Sequence, residues 1–223
     1  MPKTKIVATI SDRNADESFI RSLYEEGMNV VRMNTAHQTP DQTLKVVEST
    51  RKVSDKIALL LDTKGPEVRT TYSPEEVKVE RGDQINVEGD PSGSSTRECI
   101  YVTYEQFAAD VPVGSNILFD DGEVELTVKG KDDNQLVCEV NNTGVIKARK
   151  SVNVPNVPLN MTSISKKDYN YILFAIEQDL DFIAHSFVRS KEDVLAIQEI
   201  LDEHNSDVKI IAKIENQQGV ENA

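Results

Sequence analysis

Up to residue 62 the hydrophobic positions alternate between two periods. Residues 3–10 carry a short β-branched run, of the kind a parallel sheet buries on both faces. Between Asp16 and Glu26, the side chains of Phe19, Ile20, Leu23 and Tyr24 share one helical face, and Gly27 stands where a helix ends. Residues 29–33 read as a second strand. Thr39 and Pro40 suit the N-cap and first turn of the next helix, with Leu44 and Val47 one turn apart on its apolar side. Residues 57–62 form a third strand. This β-α-β-α-β order is the grammar of a parallel sheet with right-handed crossovers.

Between residues 70 and 158 the pattern becomes all-β. Val77 and Val79 alternate with charged residues, and 84–87 and 99–104 are short strand-like runs. Residues 116–119, then Asp121-Gly122, then 124–128 read as a hairpin on a tight turn. Residues 135–140 and 145–154 continue the series. Gly and Asp/Asn clusters punctuate it at roughly 8–12-residue spacing, which suggests a small antiparallel barrel. The α/β pattern then returns. Ser165 with Asp168 resembles a capping box, and Tyr169, Ile172, Leu173 and Ile176 form an apolar stripe. Residues 181–186 and 208–214 are strands. Ser190 and Asp193 cap the helix between them, whose inner face carries Val194, Ile197, Ile200 and Leu201. The organisation expected is therefore 1–69 and 159–223 as parts of one β/α domain, with 70–158 inserted after the third strand.

Charge narrows the function. Lys and Arg total 25 against 38 Asp and Glu, a net charge of −13, which argues against a nucleic-acid binder or a polybasic membrane-surface protein. No apolar run approaches the roughly 20 residues of a membrane helix. The first residues enter a strand-like segment with no signal peptide, so a soluble, cytoplasmic protein is expected. Cys99 and Cys138 offer neither a metal spacing nor a disulfide framework, and they read as packing residues.

The unusual polar residues fall at strand ends. Arg32, Asn34 and His37 follow the second strand; Asp62, Thr63, Lys64, Glu67 and Arg69 follow the third. Ser186 and Arg189 follow the fourth, and Lys213 and Glu215 end the fifth. In a parallel α/β barrel these positions share the carboxyl-terminal rim, where active sites are built. Arg32, Lys64, Arg69 and Lys213 would make a convergent cationic set suited to phosphate or carboxylate. Glu215 and Asp62 add hard oxygen ligands of the kind Mg²⁺ uses when it bridges protein and phosphate. The chemistry indicated is metal-assisted reaction of a phosphorylated or oxyacid substrate. Of the other histidines, His204 late in a helix reads as structural, and His185 as a hydrogen-bonded core residue.

These residues also carry a resemblance. TKIVATI (4–10), GMNVVRMNTAH (27–37), ALLLDTKGPEVRT (58–70) and KIENQQG (213–219) together resemble the pyruvate kinase family. GSNILFDDG (114–122) and EQDLDFIAHSFVR (177–189) are similar to further signatures in the same order, and the β insert falls where that family carries its mobile B domain. The resemblance implies an α/β fold built as a TIM (β/α)8 barrel with an inserted all-β barrel domain after strand 3. Because about ninety residues belong to the insert, the barrel is expected to be incomplete here, with about five strands.

The resemblance also implies roles. Arg32 matches a substrate- and phosphate-contacting arginine, Lys213 the lysine that stabilises the phosphoryl group in flight, and Arg69 the arginine on the nucleotide's phosphates. Glu215 matches a ligand of Mg²⁺ (or Mn²⁺). Asn34, Asp62 and Thr63 match ligands of K⁺, and Glu67 matches the acidic position that goes with K⁺ dependence. Asn34, His37 and Lys167 match nucleotide-contacting positions, and Ser186 with Phe187 an active-site pair, Ser186 on the substrate. Two departures stand out. Ala36 replaces a usual K⁺-ligating hydroxyl, so K⁺ activation is expected to survive with reduced affinity unless water or Thr35 substitutes. Ser11-Asp12 stands where the family usually has Gly-Pro, which leaves that loop's shape open.

The implied function is phosphoryl transfer from phosphoenolpyruvate to ADP, giving pyruvate and ATP in the last step of glycolysis. Mg²⁺ and K⁺ are the implied cofactors, and a homotetramer is implied for the full-length protein, with no nucleic-acid or membrane partner. The 223-residue chain itself is expected to be an N-terminal fragment, inactive alone, with the last three barrel strands and a second acidic metal ligand beyond Ala223. The alternatives are a non-catalytic folded fragment and a metal-dependent lyase acting on a pyruvate enolate; the β insert argues against the lyase.

Overall fold

The computed structural model describes residues 4–36, 38–132 and 134–223. Its elements begin with β1 (Ile6–Thr9), α1 (Glu17–Glu25), β2 (Met28–Asn34), α2 (Pro40–Val53) and β3 (Ala58–Asp62). Then follow β4 (Val68–Arg69), β5 (Val77–Val79), β6 (Gln84–Gly89), β7 (Cys99–Val102), α3 (Phe107–Asp110) and β8 (Asn116–Phe119). Next are β9 (Val124–Asp132), β10 (Gln135–Val140), β11 (Gly144–Ile146) and β12 (Ser151–Asn153). The last are α4 (Lys166–Glu177), β13 (Phe182–His185), α5 (Lys191–Glu203), β14 (Lys209–Ala212) and α6 (Gln217–Glu221). The chain divides into two compact units, one formed by the residues up to Pro66 and from Thr162 on, the other by Glu67–Met161.

The first unit is α/β. Its five strands are all parallel, in the order β1-β2-β3-β13-β14. Along β2, Val31 and Met33 are fully buried among residues of the helices, while Arg32 and Asn34 alternate onto the opposite face of the sheet. Registers carry that alternation across the sheet. Thr9, Arg32 and Leu60 are neighbours, as are Asn34, Asp62 and Ala184. One face is thus the hydrophobic core, with Val46, Val47, Ile172, Ile197 and Leu201, and the other face carries the polar strand ends.

Caps set the helix starts. Asp16 accepts from Phe19 N at 3.0 Å. Thr39 and Gln42 form a capping box with Pro40 in the first turn, and Ser165 and Asp168 form another. Ser190 is the N-cap of α5 by position, but its hydroxyl bonds Glu192 instead of a helix N–H. The buried stripe of α4 is Asp168, Tyr171, Ile172 and Ala175, whereas Tyr169 is exposed. The i+3/i+4 spacing from Tyr169 was compatible with burial, but Tyr171 takes the inward position because its hydroxyl donates to Gln38 O at 2.6 Å. Ser11-Asp12 opens a short 3₁₀ turn, Asp12–Asn14, held by Gln42 Nε2 on Asp12 at 2.9 Å.

The second unit is all-β. Seven strands form one sheet in the order β4-β12-β8-β9-β10-β6-β7, and β11 and β5 form a second. An antiparallel bridge between Thr70 and Val102 links the two ends of the larger sheet. The pairs are antiparallel except β6–β7, which is parallel. The β8–β9 turn is longer than Asp121-Gly122 alone, because Phe119↔Val124 is the last pair. Asp120 and Asp121 adopt left-handed φ of 50° and 57° there, anchored by Lys150 and Ser151. The unit begins before residue 70 and ends after 158 for a packing reason: Val68 is buried in its core, and Leu159 and Met161 pack against it. Cys99 and Cys138 are free and buried; burial pushes their thiols up, to about 11 and about 12.

Candidate active site

The polar face of the first unit converges on Asp62. This last residue of β3 has a carboxylate only 3 % exposed, and the side chains of Arg32, Ser186 and Lys213 contact it. Arg32 Nε donates to Oδ2 at 2.6 Å, and a second guanidinium nitrogen pairs with the same oxygen. Arg32 Nη1 also donates to Thr9 Oγ1 at 2.9 Å, which fixes the fork from the neighbouring strand. Lys213 Nζ lies 3.0 Å from Asp62 Oδ1, 2.8 Å from Ser186 Oγ and 3.4 Å from Glu215 Oε1. Ser186 Oγ donates to Thr63 O at 2.6 Å. Two cations and two carboxylates balance formally, yet Asp62 is buried while the side chains of Arg32 and Lys213 remain 34 % and 28 % exposed. Their outward sides are therefore open to an anion already oriented for it, and charge-assisted donors held this way need no reorganisation when negative charge arrives.

Backbone geometry supports the cluster. Gly65 has φ +66°, and a Cβ there would run into the carbonyl of Ser186, so only glycine lets this loop pack so closely. Phe187 adopts φ +55°, a costly conformation for a bulky residue, and its N–H donates to Glu215 Oε2 at 3.2 Å.

The remaining candidates divide. Asn34 neighbours Asp62 in register, and its Oδ1 accepts from Ala36 N at 3.0 Å. Thr35 does not present a hydroxyl in place of the one missing at Ala36: it is fully buried and its Oγ1 donates to Asp62 O at 2.9 Å. Lys167 Nζ donates to Thr35 O at 2.6 Å and lies over the Tyr171 ring. Arg189 is engaged with Asp193. Burial pushes the Asp193 carboxyl up, but hydrogen bonds from the Arg189 guanidinium and N–H prevail and hold it below its ordinary 3.8. Lys64 joins through its backbone N–H, which donates to Asp168 Oδ1 at 3.0 Å. Arg69 and Glu67 belong to the second unit, where Arg69 Nε donates to Glu67 Oε2 at 2.7 Å and Nη1 to Arg149 O at 2.6 Å. His37 lies outside the described residues.

Two contributors escaped the reading by type and spacing. Thr9 holds Arg32. Asp168, fully buried, clamps the loop after β3 as well as accepting from the N–H of Ser165, the N-cap of α4. Its place in a capping box was the one visible signal. His185 is fully buried, with Nδ1 3.0 Å from Thr63 Oγ1. Burial lowers its pKa, as do Arg189 and Lys213, while Asp168 and Asp193 act in the opposite sense. His204 is structural, its Nδ1 2.9 Å from Ile200 O. Among the described residues, no three His, Cys, Asp or Glu side chains gather to hold a metal, and no helix is long and apolar enough to cross a membrane.

Comparison with known proteins gives this cluster its context. The family model for the pyruvate kinase barrel domain matches residues 1–223. The pyruvate kinase of Borreliella burgdorferi is 47 % identical over 220 residues, covering 98 % of this chain and 46 % of the relative. Those of Staphylococcus haemolyticus and Bacillus licheniformis are 43 % and 45 % identical over 235 and 230 residues, each covering 100 % of this chain and 39 % of the relative. The chain thus spans less than half the length of these curated relatives. A family match along the whole chain and identities above 40 % across it lead to one conclusion: the chain belongs to the pyruvate kinase family.

Proposed function

We propose that the Asp62-centred cluster is the anion-binding part of a site that transfers the phosphoryl group of phosphoenolpyruvate to ADP, giving pyruvate and ATP. The observation that carries this reading is the pair of part-exposed cations, Arg32 and Lys213, held by one buried carboxylate. Arg32 binds the phosphate and carboxylate oxygens through its fork, and Lys213 neutralises charge on the phosphoryl group between donor and acceptor. Ser186 orients the Lys213 ammonium and contacts the substrate. In the first unit Asn34, His37 and Lys167 contact the nucleotide, Lys167 after exchanging its bond to Thr35.

The donor set fits the implied ions. Glu215 offers a part-exposed carboxylate, and Mg²⁺ commonly takes one or two carboxylates beside phosphate oxygens and water. Asn34, Asp62 and Thr63 supply neutral and anionic oxygens from neighbouring strand ends for K⁺, with weakened affinity because Ala36 brings no hydroxyl and Thr35 is committed. When bound, the metal ions supply positive charge that offsets the phosphates. The first unit is read as part of a TIM barrel, the second as the family's B domain, and the whole protein as a cytoplasmic homotetramer.

A coupled assay tests the reading in a full-length protein containing this chain. Pyruvate should form from phosphoenolpyruvate only when ADP is present, and Lys213→Ala should lower kcat by about a thousandfold. ADP-independent pyruvate formation would sink it. The 223-residue chain alone is expected to turn over negligibly.

A further inference from the structure

His185 belongs to none of the groups that would face a substrate, yet it touches the residues that hold them. It ends β13 on the helix-facing side of the sheet, opposite to Ala184 and Ser186. Its backbone carbonyl accepts from Lys213 N at 2.9 Å. Its imidazole Nδ1 lies 3.0 Å from Thr63 Oγ1, and that hydroxyl lies 3.4 Å from Ala184 O. Its Nε2 is buried with no hydrogen-bond partner among the described residues.

These contacts select a tautomer. A neutral imidazole carries one N–H. Were the proton on Nε2, a buried donor would be left unmade, which is the more expensive arrangement. With the proton on Nδ1, the ring donates to Thr63 Oγ1, the threonine proton turns to Ala184 O, and Nε2 keeps only a bare lone pair.

Hydrogen bonds then close a ring through four residues at the ends of three adjacent strands, β3, β13 and β14. His185 Nδ1–H donates to Thr63. Thr63 O takes the Ser186 proton at 2.6 Å, the shorter of the two Ser186 contacts, the other being 3.1 Å to Asp62 Oδ1. The Ser186 oxygen thereby turns its lone pairs to Lys213 Nζ at 2.8 Å, and Lys213 N–H returns to the His185 carbonyl. We propose that His185, as the Nδ1–H tautomer, is a positioning residue that fixes where the Lys213 ammonium stands, acting through Thr63 and Ser186. Its consequence for phosphoryl transfer rests on the function proposed above; the ring itself does not.

The test uses ¹⁵N NMR of the 223-residue chain together with two variants. In the unmodified chain Nε2 of His185 should show a pyridine-type and Nδ1 a pyrrole-type resonance, the reverse of the tautomer free histidine prefers. His185→Leu should shift the Lys213 ammonium signal. His185→Asn, whose amide N–H reaches the place of Nδ1–H, should return it towards its original position. In a full-length protein, His185→Leu should lower kcat by about tenfold with KM for phosphoenolpyruvate within about twofold, and His185→Asn should recover most of the loss. A protonated Nε2 overturns the proposal from the unmodified chain alone, whether or not either variant folds. So does a Lys213 signal unmoved by His185→Leu. A full-length protein without kinase turnover whose ring signals are as described would sink the proposed function and leave the ring standing.

Discussion

At the scale of single residues, Asp62 decides the site's electrostatics. It is a buried carboxylate shared by Arg32 and Lys213, and it holds both cations beside their other partners, Thr9 on Arg32 and Ser186 on Lys213. Asp62→Asn keeps the shape but halves the acceptor capacity and leaves two like charges facing each other. Because both cations are about a third exposed, water screens part of the loss, and about 2 kcal/mol of stability is expected to go. The measurement is chemical denaturation of the chain at low and high salt. The deficit should shrink as salt screens the Arg32–Lys213 repulsion; a deficit equal at both would mean that lost packing, not charge, is responsible. Arg32, Asp62, Ser186 and Lys213 were each legible in the sequence as polar residues at strand ends. That Asp62 faces inward as the counter-ion was not, because strand order and register are long-range properties that residue type leaves open.

At the scale of elements, caps and periodicity made the helices and parallel strands readable. The boxes Thr39–Gln42 and Ser165–Asp168 are local, and local chemistry is visible in sequence. α5 shows where this fails. Ser190 has the right residue type for a cap, but the start of α5 is secured by Arg189 and Asp193. Asp193 Oδ2 accepts both the Arg189 N–H at 2.8 Å and its Nε–H at 3.0 Å, while Oδ1 takes the other guanidinium nitrogen. The Asp193 carboxyl is held below its ordinary 3.8, so as pH falls the unfolded chain takes up this proton first. The lock's contribution is therefore complete above about pH 4 and is lost as pH falls below that value through the folded one. Asp193→Asn should cost about 2 kcal/mol at neutral pH, and the gap between wild type and variant should narrow as the pH drops below 4. Thermal or urea unfolding across pH 2–7 reads this directly; a gap constant with pH would assign the cost to the helix cap alone.

At the scale of the whole molecule, each unit has its own core, and the larger sheets of the two units end differently. The cluster around Val31, Leu59 and Ile183 contains residues of the first unit alone, and the cluster around Phe107, Ile117 and Leu126 those of the second. In the larger sheet of the second unit the Thr70–Val102 bridge joins the end strands. Among the described residues of the first unit β1 and β14 are the edge strands of the sheet, and they carry apolar side chains: Ile6 is 52 % exposed, Val7 51 % and Ile211 39 %. Parallel sheets are ordinarily covered, and an exposed apolar edge is a template for pairing with another chain. The 223-residue chain should therefore self-associate as its concentration rises through the micromolar range. Val7→Lys with Ile211→Lys, one charge on each edge, should return it to the monomer without altering the far-ultraviolet circular dichroism, since neither side chain belongs to either core. Sedimentation velocity on the two forms decides: a wild-type chain still monomeric at about 100 μM would show that the edges are protected in solution by other means, and association surviving both lysines would move the contact to another surface.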